Sequence, residues 1–102
     1  MKLLTIIVHT QVQQDLTALL RSMEMVSGFS FSAVEGHGME IEKESYLAAK
    51  DDAVGHVPRV RVDILLQDEH VDSVLSHIRD QDAGVGQGVF WVTPVEQGGH
   101  LL

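Results

Sequence analysis

The sequence predicts an α+β sandwich: one four-stranded antiparallel sheet with two helices on one face, in the chain order βαββαβ. Three observations predict it. Four apolar stretches have the length and residue types of strands. Two stretches between them carry apolar residues at helical spacing. The chain has 102 residues, which suits one domain with a modest core.

Lys2 to His9 is β-branched and apolar on both faces and reads as a central strand. Thr10 to Gln13 fits a capping box, with Thr10 as N-cap and Gln13 reaching back. Val12, Leu16, Leu19, Leu20 and Met23 follow on one helical stripe, and Gly28 is read as closing that helix, with Met23 and Met25 inside it. Phe29 to Gly38 alternates, with Phe29, Phe31, Ala33, Glu35 and His37 sharing one parity. From Arg59 to Leu66 the alternation is clearer: Val60, Val62, Ile64 and Leu66 oppose Arg59, Arg61, Asp63 and Leu65. Asp68 reads as the N-cap of a second helix bearing Val71, Val74, Leu75 and Ile78. A glycine-rich turn, Gly84-Val85-Gly86-Gln87-Gly88, feeds a last strand from Val89 to Val95. Glu96 to Leu102 reads as a frayed end. Two strand-helix-strand halves in this order make a ferredoxin-like sandwich.

Two features ask for more than a plain monomer. The stretch between the second and third strands, 39–57, is far longer than a hairpin loop and rich in charge, and such loops are usually functional or disordered. Two helices cover only one sheet face, yet the first and last strands are apolar on both sides. An uncovered apolar face marks an interface, so a homo-oligomer built sheet to sheet is expected.

Composition narrows the function. With 7 basic and 15 acidic residues the formal charge is −8, and no basic patch offers itself to nucleic acid. The same charge favours cations over polyphosphates. There is no cysteine, hence no disulfide frame or thiolate metal site. No apolar run is long enough to span a bilayer, and the opening apolar stretch reads as a strand rather than a signal peptide, which points to the cytoplasm. No nucleophile elbow, HExxH or Walker motif is present, so an enzyme is not expected.

Four stretches taken in order resemble the PII-like superfamily, the signalling proteins related to nitrogen regulatory PII and to CutA. They are Lys2 to Val8; Gly36-His37-Gly38; Val57-Pro58-Arg59-Val60-Arg61-Val62-Asp63-Ile64; and Gly84 to Val95, with Phe90-Trp91-Val92-Thr93-Pro94. The resemblance implies a homotrimer with effector clefts between subunits. Segment 39–57 would be the T-loop that meets a partner protein, and the glycine-rich turn the B-loop. It is closest to a branch encoded beside heavy-metal efflux pumps, which implies a membrane transporter as partner class. The chain departs from nucleotide-binding PII where Gln87 and Val89 replace an aspartate and a lysine, and where Glu96-Gln97-Gly98-Gly99-His100 replaces basic residues.

Two effector classes stay open. For an adenine nucleotide the contacting residues would be Gly36, His37, Gly38, Arg59, Gly84, Gly86, Gln87 and Gly88, with the glycine N–H groups and either Arg59 or Arg61 facing phosphate. The plainer alternative is a tight turn that lets subunits pack. For a divalent metal ion the donors would be His37, Glu35 and His56, with His9 able to approach. Here the alternative is an exposed strand-end histidine. A third reading is a structural trimer with no ligand. Trp91 reads as a core or interface residue, His70 and His77 as surface residues.

Overall fold

The computed structural model describes residues 1–37, 57–81 and 88–102. Strand β1 spans Lys2–His9, β2 Phe29–Gly36, β3 Val57–Leu66 and β4 Val89–Pro94; helix α1 spans Gln13–Ser22 and α2 Val71–Asp80. The strands form one sheet in the order β2-β3-β1-β4, with every neighbouring pair antiparallel. Each helix therefore links two strands separated by a third, which is the ferredoxin-like arrangement the sequence predicts.

The core lies between one sheet face and the helices, and period explains its membership. Leu4, Ile6 and Val8 of β1 and Val60, Val62, Ile64 and Leu66 of β3 alternate inward. They meet Val12, Leu16, Leu20 and Met23 around α1, and Val71, Val74, Leu75 and Ile78 on α2. Phe29 and Phe31 extend this core from β2, their rings edge to face with centroids 5.8 Å apart.

The helix ends differ from expectation. His9, not Thr10, makes the first cap: its Nδ1 accepts the Gln11 N–H at 3.1 Å, and a 3-10 turn over Thr10–Val12 precedes α1. The helix stops at Ser22, well before Gly28. There the Ser22 hydroxyl donates to the Leu19 carbonyl at 2.6 Å and Met23 turns extended, so Met23 and Met25 lie outside the helix. Met23 still packs into the core.

Asp68 does not cap α2, which is entered through a 3-10 turn over Asp68–His70. Its carboxylate instead pairs with the N-terminal ammonium of Met1. The hydrogen bond from that ammonium, helped by its charge and that of Lys2, holds the carboxyl below its usual 3.8. A carboxyl lowered by folding stabilises the fold above its unfolded pKa and ceases to do so as pH falls through its folded value. Urea unfolding from pH 2 to 7 is expected to show the native chain more stable than Asp68→Asn above about pH 4, with the gap closing below.

The end of the chain is only partly frayed. The Val95 N–H donates to the Met1 carbonyl at 3.1 Å, extending the β1–β4 pairing. A Cβ on Gly98 would lie 3.2 Å from Leu65 Cδ2 and 3.3 Å from Met1 Sδ, so this glycine permits a close crossing. Leu101 and Leu102 are fully exposed. No helix among the described residues is long and apolar enough to cross a membrane.

Candidate functional site

The strand directions gather several of the nominated residues at one end of the sheet. β1 ends there at His9, β2 ends at Gly36, β3 begins at Val57 and β4 begins at Val89. Gly36 opposes Val57, Glu35 opposes Pro58, and Arg59 stands between Val34 and His9. Gly88 enters this end just before Val89, which opposes Ile7. Gly38, His56, Gly84, Gly86 and Gln87 lie outside the described residues, as does most of segment 39–57.

Gly36 and Gly88 share that end, Gly36 as the last residue of one edge strand and Gly88 just before the other. Three strand spacings separate them, about 14 Å. Arg59, only 3% exposed, sits in the row between them with His9. Among the described residues, Gly36 and His37 thus stand at one edge of the sheet and Gly88 at the other.

His37 and Glu35 do come together. His37 Nε2 and Glu35 Oε2 are 2.7 Å apart, both side chains exposed. His9 does not join them. Strand alternation puts His9 on the opposite sheet face from Glu35, and its Nδ1 is engaged by Gln11. Among the described residues no group of three or more histidine and carboxylate side chains could hold a metal ion. A shallow polar groove at the start of α1 is lined by Thr10, Gln11, Gln13, Gln14 and Thr17, none of them nominated by the sequence.

The sheet face away from the helices carries a second arrangement that local patterning did not reveal. Register places Ser30, Asp63, Thr5 and Trp91 in one row and Ser32, Arg61, Ile7 and Val89 in the next. The Thr5 hydroxyl donates to Asp63 Oδ1 at 2.7 Å. Arg61 Nε donates to the same carboxylate at 3.0 and 3.2 Å. The Arg61 guanidinium then reaches across β1, its carbon 5.7 Å from the centre of the Trp91 ring. Thr5 lies beneath this bridge with no exposed surface. Alternation alone put Arg61 and Asp63 on one face; Thr5 and Trp91 join them only through cross-strand register.

β4 is the least covered element. Val89, Phe90, Trp91 and Val92 are 42, 46, 40 and 37% exposed. Their side chains point to both faces, so exposure is not confined to the side away from the helices. On the helix side Arg79 covers part of Phe90, its guanidinium carbon 5.4 Å from the ring centre. β4 is an edge strand with no charged residue, and proteins ordinarily guard such edges with charge or with another chain.

Comparison with known proteins settles the family. The model of DUF3240, described as a protein of unknown function, matches residues 1–102. The chain belongs to the DUF3240 family. A solved structure supports the architecture: this DUF3240 chain is similar to the crystal structure of a DUF3240 family protein from Shewanella baltica OS155. The TM-score is 0.76 at 20% identity, covering 99% of this chain and 96% of that one. At that identity the likeness speaks for the fold.

Proposed function

We propose that this DUF3240 chain is a non-enzymatic, PII-like regulatory protein of the cytoplasm that works as a homotrimer. The sheet faces turn towards one another. A small effector sits where the His37 edge of one copy meets the glycine-turn edge of the next, and its binding reorders segment 39–57 for a partner protein. The partner class that the resemblance suggests is a membrane transporter for heavy-metal efflux, met through that segment without membrane insertion.

The observation that carries this reading is the separation of Gly36–His37 from Gly88 across the full width of the sheet end. Residues nominated for one ligand occupy opposite edges of one chain. Between copies, opposite edges can become neighbours. The exposed, uncharged β4 supports the same assembly.

Two effectors compete for that cleft. An adenine nucleotide would use Arg59 and the backbone N–H groups of the glycine turn for phosphate. A divalent cation would use the Glu35–His37 pair and further donors, His56 among them, with the acid-rich chain favouring positive charge. A thermal-shift panel on metal-free protein separates them, because a ligand that binds only the folded form raises the midpoint by mass action. A nucleotide effector is expected to raise it by several degrees with ATP, ADP or AMP. A cation effector is expected to raise it with zinc, nickel, copper or cobalt, and His37→Ala to abolish that rise. Silence to every nucleotide and cation would overturn the effector reading and leave a structural trimer.

A further inference from the structure

The open sheet face holds a cation that the fold orients without using all its donors. Arg61 Nε is pinned by both oxygens of Asp63, and the guanidinium lies near the Trp91 ring. Those two contacts fix an edge and a face of a planar group. The Nη1 and Nη2 atoms, with four N–H donors, meet no acceptor among the described residues. Leu3, Ile7, Leu65 and Val89 share this sheet face with Arg61.

We infer that Arg61 is the specificity-determining residue of the contact between copies, its outer N–H groups donating to oxygen acceptors of a second copy. The inference rests on the sheet-to-sheet assembly proposed above. Three observations favour a second copy as occupant. An oriented arginine beside an aromatic ring within an apolar surround has the make-up of an interface anchor. The chain has 15 acidic residues against 7 basic ones, whereas Arg61 on this face keeps N–H donors beyond the one that Asp63 holds. A second copy of so acid-rich a chain is well supplied with acceptor oxygens. The face also runs without a break onto β4, whose exposed apolar residues need the same cover.

Asp63 suits this role because it is engaged before association. With Thr5 and Arg61 both donating to it, closing the face leaves Asp63 paired. Arginine is required rather than any cation. Only a planar fork offers donors beyond the one held by Asp63 while lying along Trp91.

The test compares the native chain, Arg61→Lys and Arg61→Met by sedimentation equilibrium over a wide concentration range, with far-UV circular dichroism on the same samples. Arg61→Lys is expected to keep the native spectrum and to weaken association at least tenfold. Arg61→Met keeps an apolar stem on Trp91 and is expected to weaken it as much. Native-like association of either folded variant would overturn the inference. A native chain that stays monomeric at every concentration would instead overturn the assembly itself, and the two failures are told apart by the native sample alone. Should one variant lose its spectrum, the other carries the comparison.

Discussion

Leu16→Ala is expected to cost about 2–5 kcal/mol of folding stability, enough to lower the thermal midpoint by roughly 10–30 °C. Leu16 is completely buried, at the centre of the α1 stripe. It faces the core shared with Leu4, Ile6, Val62 and Ile64, which come from the two central strands. Truncation removes apolar burial and leaves a cavity that strands on the other side are held too firmly to fill. A domain of this size has about 5–15 kcal/mol in hand, so the loss is a large share of the total. Leu101→Ala is the matched control. Leu101 is fully exposed, and its loss is expected to change stability by less than about 0.5 kcal/mol. Urea titration of the three proteins checks the contrast.

Asp63→Ala is expected to destabilise by about 1–3 kcal/mol, although Asp63 lies on the sheet face away from the helices. Two groups lose their acceptor at once: the completely buried Thr5 hydroxyl and the Arg61 Nε. The exposed half of the arginine recovers water, whereas the threonine does not, so most of the cost falls on Thr5. A double-mutant cycle with Thr5→Val separates the two. Valine removes the hydroxyl with little change of shape, and the second mutation is expected to be less costly in its presence. Trp91 is the chain's single tryptophan, and its fluorescence should shift in Asp63→Ala as Arg61 swings free. Additive energies together with unchanged emission would show that the bridge over β1 contributes nothing.

These effects mark where the sequence was legible. The β3 alternation and the α2 stripe were readable because one face of each is buried and the repeat of two or 3.6 residues shows directly. Helix starts were harder. Thr10 and Asp68 have capping side chains, but a 3-10 turn moves each helix start by several residues, and His9 takes the first cap. The end of α1 was misplaced because Ser22 competes for a backbone carbonyl long before Gly28. Cross-strand register is not a local property, so the joining of Thr5 to Asp63 and of Arg61 to Trp91 was invisible. The candidate site shows the same divide. His37 and Glu35 could be paired by parity, whereas the distance from Gly36 to Gly88 follows from the strand order alone.

Copies of this chain are proposed to close the edges and faces that each leaves open, and the mass in solution decides whether they do. Sedimentation equilibrium of the native chain at micromolar concentration is predicted to give three times the 11.2 kDa of one copy. A single species at the mass of one chain, unchanged on concentrating the sample, would contradict it.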